Sequence, residues 1–303
     1  MSLSIFFSMI SIYFFIFLGY LAKRIFKEEL QPKTLTLLSV YFFQPFVALW
    51  GFTSAPLHLN DLLVPLLYIL LTLILLLPTY LIGRYAFSHS KERAIFTIAG
   101  FLGNTGNMGI PLGLALFGTA SLLYTTLINL ANLFIAYILG VYIYSRGSFS
   151  VRESLLNIVK IPIIPASMLA IVLNLLGFSP SQEIAQFLQM GAFTGIVLQL
   201  FLLGTFLEGI KLKKLNKKLL SATLLQKFLL IPLATLLLLP LTPLPLWVQG
   251  VILMEMMMPL AIANINLASL YECQPYTVTT LIFLSTLLFI PILFFIKPLI
   301  ACL

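Results

Sequence analysis

Two short stretches concentrate the residues able to do chemistry in this otherwise apolar chain. The first is Gly103-Asn104-Thr105-Gly106-Asn107-Met108-Gly109-Ile110-Pro111. The second is Glu255-Met256-Met257-Met258-Pro259, followed by Asn264 and Asn266. Gly103, Gly106 and Gly109 relax the backbone, while Pro111 and Pro259 each remove a donor and crowd the preceding turn, so both stretches predict an interrupted helix. A half-helix that starts after such a break presents unsatisfied N–H groups and a partial positive charge. An anion fits there. Asn104 and Asn107 add amide donors without fixed charge, a combination that holds a carboxylate and still releases it. Gln44, beside Pro45, and Asn264 are further polar candidates for the same ligand. Unwound carbonyls and Thr105 also offer acceptors to a cation, so both signs stay open, with the anion preferred.

The elements that must position these residues follow from composition. Of 303 residues 61% are hydrophobic and 9% charged, against roughly 25% charged in soluble domains. Mean hydropathy is +1.10. The solvent for such a surface is lipid. Seventeen Lys and Arg against nine Asp and Glu leave a net charge of +8, which reports topology rather than a nucleic-acid partner because the basic residues cluster between apolar runs. Runs of about 20 apolar residues, with interruptions accepted at Gly, Pro or Asn, fall at about 3–22, 34–52, 62–83, 94–116, 120–145, 155–177, 184–209, 219–240, 247–270 and 276–296. These ten runs are apolar all round rather than alternating, so they predict helices and not a barrel.

The gaps after spans 1, 3, 5 and 7 carry Lys23, Arg24, Lys27 and Lys33; Arg84, Lys91 and Arg93; Arg146 and Arg152; and Lys211, Lys213, Lys214, Lys217 and Lys218, while those after spans 2, 4, 6 and 8 carry none. The basic gaps are therefore expected in the cytoplasm and both termini outside, in a multi-pass protein of a plasma membrane or bacterial inner membrane. Trp50 and Trp247 fall at expected outer ends. The first span has its basic cluster after the apolar run, the reverse of a cleaved signal, and is expected to stay as a helix.

Residues 1–150 and 151–303 each hold five spans, an odd number, so the second block enters the membrane inverted with respect to the first. Each block has its interruption in the fourth span. Asn104 and Met257 lie ten residues into their spans, about 15 Å deep, half of a roughly 30 Å hydrocarbon core. The fold expected is an all-α integral membrane protein of two inverted five-helix repeats, with broken helices 4 and 9 crossing at the midplane. Breaks at matching positions of two halves are a pointer to a transporter binding site.

Four charged residues lie inside the spans. Lys160 and Glu208 fall near span ends, where Lys160 can snorkel and Glu208 can pair with Lys211. Lys227 and Glu255 lie deeper, about 12 to 13 Å from opposite faces, in consecutive spans. They form either a buried pair or a snorkelling lysine with a carboxylate alone in a water-filled cavity. An unpaired Glu255 can carry a proton and couple transport to it; a pair is structural, and transport then follows the substrate gradient and the membrane potential. Asn129, Asn132 and Gln199 are read as glue between helices. The Met256–Met258 run is core filling, His58 and His89 sit in loops on opposite sides, and Cys273 and Cys302 make no disulfide. No metal or other cofactor is implied, and the spans lack the His, Cys or Asp constellation of an enzyme.

At Gly103 to Pro111, followed by Leu112 to Gly118, the sequence resembles the auxin efflux carrier family, which includes bacterial malate and malonate permease-like proteins and the plant PIN and PIN-like carriers. The likeness continues in the Pro-containing helix 2, the short basic gaps, the Leu203-Gly204-Thr205-Phe206-Leu207 end of helix 7 and the block around Pro259. The resemblance implies helices 1, 2, 6 and 7 as a scaffold and helices 3–5 and 8–10 as a moving transport domain, resembling bile-acid symporters and sodium/proton antiporters. It implies elevator-like secondary transport of a small organic anion, its carboxylate near Asn104 and Asn107. The alternative is a sodium- or proton-coupled antiporter or symporter; an antiporter would want a carboxylate in helix 5, where this chain has Asn129 and Asn132. The long cytoplasmic loop of the larger plant proteins is absent and helix 9 is unusually Met-rich, so the plant substrate does not carry over. Partners expected are the organic anion and the lipid bilayer, with a homodimer through the scaffold helices left open.

Overall fold

The computed structural model describes residues 3–145, 160–207 and 216–300. Its helices are α1 (Leu3–Phe26), α2 (Pro32–Phe52), α3 (Leu59–Ala86), α4 (Ser90–Ile98), α5 (Ile110–Phe117), α6 (Ser121–Tyr144), α7 (Ile163–Leu175), α8 (Gln182–Leu207), α9 (Lys217–Leu241), α10 (Leu246–Met256), α11 (Ala263–Leu270) and α12 (Pro275–Ile300). Six are long and apolar enough to cross a membrane: α2, α3, α6, α8, α9 and the Pro275–Ile296 part of α12. The runs at 94–116 and 247–270 are each divided, the first into α4 and α5, the second into α10 and α11. Arg146, Arg152, Glu208, Lys211, Lys213, Lys214 and Cys302 lie outside the described residues.

Within several helices the chain widens into a π turn, at Ser39–Phe43, Thr105–Gly109 and Gln226–Leu230, and each of these ends two residues before a proline: Pro45, Pro111 and Pro232. A proline ring clashes with the carbonyl one turn back, and the wider turn relieves that clash without ending the helix. The π turn at Ala136–Gly140 has no such proline.

The chain divides into two compact units. The first holds Met1–Leu63, Gly106–Leu130 and Leu156–Gly209. Here α1 lies along α8. A Cβ on Gly19 would stand 1.8 Å from the Phe201 carbonyl oxygen, and one on Gly204 1.9 Å from that of Ile16, so only glycine permits this backbone approach. The second half of α2 packs on α7 and α8, with Phe46 edge-on to Phe187 and Trp50 against Phe193 at centroid distances of 5.4 and 5.3 Å. Trp50 is buried by that contact, whereas Trp247 is 39% exposed. Asn174 ties the end of α2 down, donating to the carbonyls of Phe52 and Ala55 and accepting from the Leu57 N–H.

The second unit holds Val64–Thr105, Ala131–Leu155 and Ile210–Leu303. On α3 the exposed positions include Leu66, Leu70, Leu73, Ile74, Leu77 and Leu81, while Tyr68, Thr72 and Thr79 are among the buried ones. Apolar outside and polar inside is the arrangement lipid requires. The start of α9 packs on α4 and α12, α10 packs on α12, and α4 also meets the last turn of α6.

Candidate functional site

Helix α4 stops at Ile98, and the chain then turns through Phe101 N–H to the Ile98 carbonyl (3.0 Å) and Gly103 N–H to the Phe101 carbonyl (3.0 Å). Helix α10 ends at Met256, and no helix resumes until Ala263. The two interruptions lie side by side in the second unit, where Gly103 and Leu260 face each other as an antiparallel pair. Asn104 N–H donates to the Pro259 carbonyl, and Ala261 N–H to the Leu102 carbonyl, both at 2.8 Å. Each break supplies the partner that the other's backbone lost with its helix, as buried amides away from water require. The Leu260 N–H finds the Ser285 hydroxyl of α12 at 3.1 Å.

Asn264, in the first turn of α11, is fully buried, and its amide donates to the carbonyls of Leu102 (3.0 Å) and Ala261 (3.2 Å) while its oxygen accepts from Tyr144 (3.0 Å). Both ends of this side chain have protein partners, which tie α11 to the break after α4 and to α6. Asn132 of α6 donates to the Gly103 carbonyl (2.7 Å) and to the Thr105 hydroxyl (3.2 Å), and its buried oxygen has no hydrogen-bond partner. Sequence reasoning read Asn132 as helix glue and passed over Tyr144 and Ser285. An amide, a phenol and a hydroxyl in apolar helices give no sign of their partner, although the spacing of Asn132 from Asn129 marks the polar side of α6.

Lys227 and Glu255 are 1% and 0% exposed. The Lys227 ammonium donates to the Met256 carbonyl at 2.9 Å, a cation set at the C-terminal end of α10, where the helix dipole favours it. A Cβ on Gly103 would lie 3.4 Å from that nitrogen, so the ammonium adjoins the α4 break. Neither Glu255 oxygen has a hydrogen-bond partner, and no ion pair within 4.0 Å joins Glu255 to Lys227. The Gln226 amide, next to Lys227, is likewise buried without a partner at either end. Among the described residues no three His, Cys, Asp or Glu side chains stand together in a way that could hold a metal.

Gly106, Asn107, Gly109 and Pro111 belong to the first unit, as does Gln44. Gln44 donates to the Asn107 oxygen at 3.3 Å. A Cβ on Gly106 would come within 2.8 Å of the Asn129 oxygen, so the glycine admits that amide to the backbone. Gly109 closes the π turn and Pro111 sits in the first turn of α5, where a missing N–H costs no hydrogen bond. Asn104 and Thr105 are buried at 3% and 1% exposure, and Asn107 is half-buried.

The chain is similar to a protein of Methanocaldococcus jannaschii named Uncharacterized transporter MJ1031, at 29% identity over 170 residues, 54% of this chain and 55% of that protein. It thus spans about half the length of the curated relative it matches. The family described as Membrane transport protein matches twice, over residues 4–153 and again over 148–297. With nearly the whole chain covered by those two matches, it belongs to this membrane transport family, that of the auxin efflux carriers, and is a multi-pass membrane protein.

Proposed function

We propose that this transporter is a secondary carrier of a small organic anion, whose carboxylate is held at the interruption after α4. The observation that carries the reading is the pairing of two helix interruptions through Gly103 and Leu260, with Asn104 and Thr105 at the same place and Asn107 three residues on. Backbone braced by a second break fixes the place of Asn104, and a neutral amide binds a carboxylate without trapping it. In this reading the chain makes ten spans as two inverted repeats, broken at spans 4 and 9 near the midplane. Spans 3–5 and 8–10 move as an elevator against spans 1, 2, 6 and 7. The basic gaps lie in the cytoplasm, so a cysteine at Ser90 is shielded from impermeant reagents in intact cells, while cysteines at Ser54 and Ser179 are labelled.

Uptake into proteoliposomes with a panel of mono- and dicarboxylates tests the substrate class. Saturable uptake of at least one carboxylate that the others compete for is expected; a protein active on cations alone contradicts the reading.

A second reading, coupling to a proton or sodium ion, is favoured by one observation: the two Glu255 oxygens lack a hydrogen-bond partner while the Lys227 ammonium is turned to the Met256 carbonyl. A buried carboxylate without a hydrogen-bond partner is costly unless it takes up a proton or a cation. On this reading Glu255 carries the coupling ion, Lys227 is structural, and uptake responds to a pH or sodium gradient. Glu255→Gln removes that response and leaves the protein folded.

A further inference from the structure

A cavity of about 550 Å³ opens in the second unit at the end of α3, against the first turn of α4 and the last turn of α6, lined by Tyr80, Arg84, Ser90, Arg93, Thr97 and Tyr142 among others. It contains none of the residues of the helix breaks. Its two guanidinium groups come from different helices, and neither makes a hydrogen bond or ion pair with any described residue. Among the described residues no carboxylate lines the cavity. The nearest one in the same turn, Glu92, accepts from the Asn216 amide at 2.6 Å. Helix α4 begins at Ser90 with no side-chain cap, so its first N–H groups are available as well.

Two guanidiniums without a partner among the described residues, beside an uncapped helix start, are a receptor for a tetrahedral anion, since each planar fork can take two phosphate oxygens. The surroundings indicate where that anion comes from. Within two turns of Arg84 on α3, Leu77, Leu81 and Ile82 are exposed and apolar, and the Tyr80 and Tyr142 rings are 52% and 47% exposed. Charged side chains, exposed tyrosines and then an exposed aliphatic face is the order met on passing from water through the headgroup layer into hydrocarbon. We propose that this cavity binds the phosphate of an anionic phospholipid, with the Arg84 and Arg93 guanidiniums on the headgroup and the acyl chains along the exposed face of α3. A lipid in this seat bridges α3, α4 and α6 and so fixes the loop 87–89 that joins α3 to α4.

The test uses the full chain purified in detergent, with thermal unfolding and native mass spectrometry read in the presence of phosphatidylglycerol, phosphatidylcholine or inorganic phosphate. Retained phosphatidylglycerol and a raised melting temperature are expected, with no comparable effect of phosphatidylcholine or millimolar phosphate. Arg84→Gln with Arg93→Gln should weaken phosphatidylglycerol binding by about thirty-fold, as loss of two headgroup contacts implies, and the double Lys variant should restore part of it. Should the Gln variant not yield folded protein, the Lys variant and the wild-type lipid comparison decide. Equal effects of the two lipids overturn the proposal, as does undiminished phosphatidylglycerol binding by the double Gln variant. An equal shift from inorganic phosphate also overturns the lipid assignment, leaving a site for a soluble anion.

Discussion

The interruption after α4 carries polar groups in its own side chains, whereas the one after α10 borrows them. Residues 257–262 are Met, Met, Pro, Leu, Ala and Ile, without a polar side chain. The partners of this second break arrive from elsewhere: Asn104 N–H on Pro259, the Leu102 carbonyl on Ala261, the Ser285 hydroxyl on Leu260 and the Lys227 ammonium on Met256. The first break brings Asn104 and Thr105 itself, with Asn132 bracing Gly103 and Thr105. The same backbone problem has thus two solutions. One brings its own amide side chain to the break, and the other surrounds bare backbone with donors from elsewhere. The first break is read as the binding element and the second as its support.

The largest expected effect falls on the support. Asn264→Ala takes the second donor from the Leu102 and Ala261 carbonyls, which keep the Ala261 and Asn264 N–H groups, and leaves the buried Tyr144 hydroxyl without its acceptor; it should lower stability by about 3 kcal/mol, two lost hydrogen bonds and one unsatisfied buried group. Thermal unfolding in detergent checks it; an unchanged transition would mean that Asn264 does not hold the breaks together.

Lys227→Met comes next. It strips the Met256 carbonyl of its donor and should cost about 1 to 3 kcal/mol. Glu255→Gln should leave stability unchanged or raise it, because no partner loses a hydrogen bond. The two single variants are therefore unequal, and the double variant should behave like Lys227→Met alone. If both singles destabilise and the double recovers, the two residues are a buried pair after all.

Glycine substitutions separate the halves of the motif by smaller amounts. Gly106→Ala forces the Asn129 amide to shift from a 2.8 Å approach and should cost about 1 kcal/mol, the lower end of overpacking. Gly103→Ala meets its nearest atoms, the Lys227 nitrogen and the Met258 carbonyl, at 3.4 Å, an ordinary contact, and should be milder. The reverse ranking would show that the backbone at Gly103, and not the space at Gly106, demands glycine.

Much of this was legible in the sequence, and the limits have a physical cause. Apolar runs of membrane length follow from composition alone, and the Gly-Asn-Pro cluster announces where the fourth run stops being a helix. The second break was visible only through Pro259 and its polar neighbours. That Leu102, Gly103 and Asn104 pair with residues 259–261 could not be read, because a hydrogen bond between segments some 155 residues apart depends on tertiary approach. The same holds for Lys227: its depth was readable, but its choice of the Met256 carbonyl over Glu255 rests on where two helices happen to meet. Asn264 was expected among the ligand-facing residues for its type and place, and the carbonyls that its amide meets could not be read from either. In helices that are apolar all round, periodicity gives no sign of which way a lone amide points.

The most direct measurement is carboxylate affinity in Asn104→Ala compared with wild type, taken with the substrate identified in the uptake panel and with the unfolding temperature recorded alongside. If the first break is the binding element, affinity falls by about 1 to 3 kcal/mol, the value of a lost donor to a charged acceptor, in a protein whose unfolding transition shows that it still folds. Unchanged affinity in a folded Asn104→Ala protein would contradict the account and move the binding element away from the interruption after α4.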